Sequence, residues 1–269
     1  MPLKEDNLKL KTEAIIISVL VCLLIVETAL LIRFWPKKPK VVERPEVLEL
    51  ARIAIILDDW GYNYHNLNFL KAIDIPLDIS VLPFLPYSKK IAKEANLNNK
   101  EVMLHLPLEP HPNSQIRLEN KVILTAMPKE EVLQILSEAL KSVPFCRGIN
   151  NHMGSLATEK RNLMTIIFKE MRKRKLFFVD SLVTTNSICQ ELAEELELKF
   201  AQRSIFLDNE NDADYIRRQL MLLAKRAKRQ GSAIGIGHDR RLTLQVIKEI
   251  APEIKKQGIK FVFVSELVK

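Results

Sequence analysis

From Arg52 onward, short runs of β-branched and other apolar residues alternate with longer stretches whose apolar positions return every three or four residues. A continuous apolar run suits a strand covered on both faces, and the longer spacing suits a helix with one dry and one wet face. The runs predict strands over Ile53–Leu57, Leu77–Leu82, Val102–Leu106, Gly148–Asn150, Leu176–Val179, Ser204–Leu207, Ala233–Ile236 and Lys260–Val264. The spaced stretches predict helices over Lys89–Ala95, Lys129–Ser142, Asn162–Arg174, Ser187–Glu195, Asp212–Arg229 and Leu242–Lys256. Pro128 ahead of Glu130 and Glu131 marks one helix start. Strand then helix, repeated, describes a parallel sheet with both faces covered. Seven or eight such units favour an α/β barrel, closed or nearly so, over an open sheet.

Before that domain the pattern changes. Ala14 to Ile32 is apolar apart from Ser18, Glu27 and Thr28, and about 20 such residues in a helix span a bilayer core. The run leads straight into Arg33, Phe34, Trp35 and Pro36 without a small-residue cleavage site, which favours an uncleaved anchor over a signal peptide. The chain therefore divides into a short tail over 1–13, a transmembrane anchor over 14–35, a Pro- and charge-rich linker over 36–50 and one folded domain over 51–269. Lys4, Lys9 and Lys11 precede the span, while Arg33, Lys37, Lys38, Lys40 and Arg44 follow it. That count alone would leave the C-terminal domain in the cytoplasm, although long domains cross membranes regardless of local charge.

Composition narrows the class. With 47% hydrophobic and 28% charged residues the chain can build a packed core. The formal charge is +8, and nearly all of the surplus belongs to the folded part, because the first 50 residues are almost balanced. The densest basic runs, Lys169–Lys175 and Lys225–Arg229, fall in amphipathic helices, where a solvated face explains them. No zinc finger, aromatic RNA-binding cluster or Gly-rich phosphate loop accompanies them, so nucleic acid is not an expected partner. Cys22, Cys146 and Cys189 have no paired spacing and read as structural.

Candidate chemistry falls at the C-terminal ends of the predicted strands, which share one rim in a parallel α/β fold. Asp58 and Asp59 follow the first strand, His105 the third, Asn150 to His152 the fourth, Asp180 the fifth and His238 the seventh. Of two adjacent carboxylates, one can bind a divalent ion and the other can take a proton from a water held there; either could instead cap the next helix. His105 is a natural metal ligand, with Glu109 four residues on as a possible oxygen donor. Each imidazole has a structural alternative as a buried, hydrogen-bonded side chain. Asn150, Asn151 and Ser155, beside His152, are suited to holding a polar substrate, and Trp60 joins them as a candidate substrate contact. Three of five histidines at strand ends, with the acidic pair and Asp180, point to metal-assisted hydrolysis. His65 and His111 lie outside this pattern.

The segments ILDDWG, EVMLHLPLEP, GINNHMGS, FFVDS, IFLDN and IGHD, in this order, closely resemble the divergent polysaccharide deacetylase family from about Arg52 to the C-terminus. The resemblance implies a deacetylase-like barrel, a divalent metal, zinc in the first instance, a carbohydrate substrate and work in the cell envelope, hence an extracytoplasmic domain. Carried over by position, Asp59 resembles the metal-binding carboxylate, Asp58 the general base, His105 the first metal-binding histidine, and His238 the acid that protonates the leaving amine, with Asp180 tuning it. Where the wider superfamily has a second histidine this chain has Glu109, and Asn150-Asn151-His152 replaces the usual Arg-Pro loop. Glu109 and His152 therefore compete for the remaining ligand position. A non-catalytic module that binds glycan or protein through a retained metal pocket is the alternative.

Overall fold

A computed structural model describes residues 3–33, 50–112 and 121–269, with the side chains of the first segment described for 15–30 and 33. Two compact units result, Met1–Leu48 and Glu49–Lys269. Among its described residues the first contains one helix, α1 (Leu3–Arg33). Its helical conformation covers the expected anchor as far as Arg33, and Ile15 to Leu30 carry exposed apolar side chains. Among the described residues no helix is long and apolar enough to cross a membrane. The expected linker lies almost wholly outside the described residues.

The second unit alternates strand and helix in the expected order: β1 (Ala51–Trp60), α2 (Leu67–Lys71), β2 (Asp78–Val81), α3 (Ser88–Leu97), β3 (Glu101–Leu108), α4 (Lys129–Ser142), β4 (Cys146–Met153), α5 (Arg161–Lys173), β5 (Phe177–Asp180), α6 (Cys189–Glu195), β6 (Phe200–Gln202), β7 (Ile205–Phe206), α7 (Ala213–Gln230), β8 (Ser232–His238), α8 (Arg241–Lys256) and β9 (Ile259–Phe261). The strands form one parallel sheet in the order β6-β5-β4-β3-β2-β1-β8-β7, with β9 paired to the start of β1. β6 and α2 had no counterpart in the expected elements.

The two edge strands, β6 and β7, are separated in the chain only by Arg203 and Ser204. Two residues reach so short a distance that the sheet must curl until its edges almost meet. The backbone N–H of Arg203 donates to Asp180 on one side, and that of Ser204 donates to Ile234 on the other. The barrel thus closes through a two-residue link instead of a ninth ladder.

Successive strand residues face opposite sides, and the core divides accordingly. Ile53, Ile55 and Leu57 pack outward against the helices in the larger cluster. Ala54 and Ile56 face inward with Met103, Phe177, Val179, Ile234 and Ile236. Val262 and Val264 join this inner cluster from the C-terminal tail, which crosses the end of the barrel where the strands begin. Val262 N–H donates to Ile53, Val264 N–H to the Asp78 carboxylate, and Lys269 exchanges two backbone hydrogen bonds with Phe200. With that end filled by apolar side chains, space for chemistry remains at the other.

Candidate active site

Continuing the inward parity towards that other rim gives Asp58 on β1, Ser80 on β2, His105 on β3, Asn150 and His152 on β4, and His238 on β8. Asp59 should face away from Asp58, yet it does not. The ladder between β1 and β2 slips between Leu57 and Trp60, and Asp59 adopts a left-handed backbone with φ of 65°. Such a bulge re-aims side chains, and this one lets both adjacent carboxylates serve the same rim.

Asp59 Oδ1 lies 3.3 Å from His105 Nε2 and 3.3 Å from His152 Nδ1. The two imidazole nitrogens are 3.1 Å apart, and the three potential donor atoms all fall within 4.8 Å of one another. Asp59 Oδ1 is buried but makes no hydrogen bond in this arrangement. Burial works to raise the Asp59 carboxyl, but the contacts and charge of His105 and His152 override it and hold it well below the usual carboxylate range.

The tautomer of His105 follows from Asn150. Its carboxamide nitrogen donates to Asp58 Oδ1 at 2.9 Å, which turns its oxygen towards Ser80 Oγ and His105 Nδ1, the latter at 3.0 Å. His105 Nδ1 therefore carries the proton, and Nε2 offers its lone pair to the cluster. The donor set of two imidazole nitrogens and one carboxylate oxygen, converging without hydrogen bonds to satisfy the oxygen, fits a divalent cation.

Asp58 lies behind this cluster, 2% exposed, with Oδ2 3.7 Å from His105 Nε2. Burial raises its pKa, the His105 charge opposes that, and Asp59 adds to it. On the neighbouring strand β8, His238 pairs in register with Asp58, and its Nδ1 lies 2.7 Å from Asp208 Oδ1. Asp208 Oδ2 accepts from the His238 backbone N–H and from Thr243 Oγ1 at 2.9 and 2.6 Å. Burial would lower the His238 pKa, but Asp208 raises it above its ordinary value. Asp208 moves the other way: burial favours its neutral form, and His238 prevails to hold it down.

Several sequence expectations are not met by these positions. Asp180 does not reach His238. It lies on the outward parity of β5, and its carboxylate accepts from Leu182 N–H and Ser187 Oγ at 2.7 and 2.6 Å. Asp208 occupies the place assigned to it. Glu109 lies outside the three-residue cluster, with Oε2 accepting the Thr125 backbone N–H at 2.5 Å. Trp60 follows the bulge and faces outward, fully buried in the larger core. Asn150 and Asn151 are buried too, and Asn151 is spent internally, donating to Met153 O and accepting from Ser181 N–H. Ser155 accepts from the His111 backbone N–H. The residues expected to touch substrate are thus engaged in holding the scaffold. Asp208 had a legible signal: it stands two positions beyond the inward-facing Phe206 and therefore shares its side of the barrel.

The family model for divergent polysaccharide deacetylases matches residues 55–268, and the chain belongs to that family. The uncharacterized protein YibQ of Escherichia coli is 34% identical over 201 residues, 74% of this chain. The match covers only 62% of YibQ, so this chain spans under two thirds of that relative. An uncharacterized protein of Agrobacterium tumefaciens C58 has a crystal structure that superposes with a TM-score of 0.76 at 22% identity, covering 81% of this chain and 89% of that one. A peptidoglycan deacetylase of Bdellovibrio bacteriovorus superposes with a TM-score of 0.52 at 10% identity, covering 80% of this chain and 52% of that one. These two structural likenesses concern the fold.

Proposed function

We propose that this divergent polysaccharide deacetylase family member is a metal-dependent hydrolase that removes N- or O-acetyl groups from an envelope carbohydrate. The observation that carries the reading is the convergence of Asp59, His105 and His152 beside two proton-handling groups, Asp58 and the His238–Asp208 pair. The solved deacetylase of the same fold supports the substrate class. Asp59, His105 and His152 would hold a divalent cation, zinc in the first instance, and that ion supplies Lewis acidity towards an acetyl carbonyl.

The protein groups divide the proton work. Asp58, its carboxyl raised by burial, is the general base, because a carboxylate with raised affinity accepts a proton more readily. His238, held protonated more strongly by Asp208, is the acid that delivers a proton to the leaving group. Asp208 fixes His238 with its proton on Nδ1 and leaves Nε2 without a protein partner among the described residues. Asn150 bridges Asp58 and His105, keeping base and ligand in register.

The test is acetate release from N- and O-acetylated oligosaccharides by the purified full chain, after chelation and after metal add-back, alongside elemental analysis. Chelator-sensitive release restored by one metal is the expected outcome. A stoichiometric metal without release from any acetylated glycan would instead favour a non-catalytic binding module. That second reading draws on the absence of Trp60, Asn150 and Asn151 from the open surface.

The reading extends to a single-pass anchor with the domain on the extracytoplasmic side, drawn from the apolar run Ala14–Ile32 of the sequence, which reaches beyond the described side chains of α1. Its exposed side chains from Ile15 to Leu30 support it. Protease digestion of intact cells checks the orientation: a domain that resists digestion until the inner membrane is lysed would place it inside.

A further inference from the structure

The site leaves unexplained the positive charge of the barrel domain and where it gathers. In a parallel barrel the strands begin and the helices end on one side, opposite the rim that carries the site. At most of the places where the chain reaches that side it presents a cation. Arg147 lies at the start of β4, Lys175 between α5 and β5, Lys199 just before β6, Arg229 at the end of α7, Lys256 at the end of α8 and Lys260 within β9. All six are exposed. Among the described residues, none forms an ion pair with a carboxylate. Glu170 and Glu197, which belong to the same side, are already engaged by Arg172, Lys173 and Arg174. Asp78, Glu101 and Glu194 are engaged by Val264 N–H, Ser265 N–H and Gln190, and the remaining Asp74, Glu253 and Glu266 are fewer than the unpaired cations.

Basic residues at helix C-termini complement the helix dipole, and that accounts for Arg229 and Lys256. It does not account for Arg147, Lys175, Lys199 and Lys260, which stand outside helices. In the sequence, Lys37, Lys38, Lys40 and Arg44 precede β1, and α1 exposes apolar side chains from Ile15 to Leu30, surface of the kind that marks a membrane or protein contact.

We propose that this basic face lies against an anionic phospholipid surface, leaving the catalytic rim turned away from the bilayer towards its substrate. Each Lys or Arg near such a surface strengthens partitioning about fivefold, the equivalent of about 1 kcal/mol, and salt weakens the effect. The inference goes beyond the hydrolase reading and needs no carbohydrate for its test.

Flotation of the full chain with vesicles of phosphatidylcholine alone, or containing about one third phosphatidylglycerol, is the experiment. The wild type should prefer the anionic vesicles, less so at high salt. Replacing Lys175, Lys199, Lys256 and Lys260 together by Glu should cut that preference at least about tenfold, with a far-UV spectrum matching wild type. The same positions changed to Gln serve if the Glu variant misfolds, and should lower the preference by a smaller factor. Binding to uncharged vesicles reports α1 and should not change in either variant, so failure of the anchor is read separately. An undiminished anionic preference in the variants would overturn the inference. So would a wild type indifferent to lipid charge that binds heparin or duplex DNA tightly.

Discussion

Replacing Asp208 by Asn tests how the rim controls a proton. The carboxylate is fully buried and receives three hydrogen bonds, from His238 Nδ1, His238 N–H and Thr243 Oγ1. The Asn variant keeps the shape and changes the donor pattern. If its oxygen stays with His238 N–H and Thr243, its NH2 faces Nδ1, which must then accept, and the imidazole proton moves to Nε2. A buried charged partner costs about 3–5 kcal/mol to remove; the His238 side chain is 23% exposed, and solvent at that end reduces the loss to about 2–3 kcal/mol. For a domain of this size that lowers Tm by about 4–12 °C. The wild-type pair has a defined pH window. The raised His238 pKa contributes stability that is present below its unfolded value and lost as pH rises through the folded one. The depressed Asp208 pKa contributes stability present above its unfolded value and lost as pH falls through the folded one. Histidine-detected NMR titration should find His238 above the ordinary imidazole value in wild type and lower in the Asn variant. Acetyl hydrolysis should fall about 10²–10⁴-fold, since general acid catalysis contributes on that scale. Asp180→Asn should leave the His238 titration in place. An unchanged His238 titration in Asp208→Asn, or an Asp180→Asn variant that lowers it, would refute the assignment of Asp208.

Four other substitutions address three separate parts of the molecule. Asp59→Ala should abolish stoichiometric metal in elemental analysis while Asp58→Asn retains it and loses turnover; equal hydrolysis by Asp58→Asn and wild type would remove Asp58 from the mechanism. Gly148→Ala would place a methyl 2.2 Å from the Phe177 ring inside the barrel, an overpacking cost of about 1–3 kcal/mol, measurable as a reduced denaturant midpoint with an unchanged m-value. Asp78→Asn tests the buried floor: burial first, then Glu101, raises the Asp78 pKa well above its ordinary value. Its proton is therefore retained on folding, and stability is lost as pH rises from the unfolded value through the folded one. The Asn variant, which still accepts from Val264 N–H, should show a flatter dependence of the urea midpoint over that range; the wild-type slope persisting in it would exclude Asp78 as the source.

The order of strands and helices was legible because both periodicities are local, and eight of the nine strands among the described residues had readable apolar runs. β6 was not, since Phe200-Ala201-Gln202 is too short to show a period and is held by ladder bonds to β5 and backbone bonds to Lys269. The same limit governed the site. His105, His152 and His238 were found because strand ends converge on one rim, whatever the detailed register. Which neighbour serves each one depends on parity, and parity is fragile: one extra residue reverses every side chain beyond it. The bulge at Asp59 brings a second carboxylate to the rim and, by the same reversal, sends Trp60 into the outer core. Parity also separates Asp180, which faces out from β5, from Asp208, which follows Phe206 inward. A strand-end acid is therefore a weak assignment until the inward-facing hydrophobic residue two positions before it is known. The directions taken by Asp180, Trp60 and Asp59 have that single geometric cause.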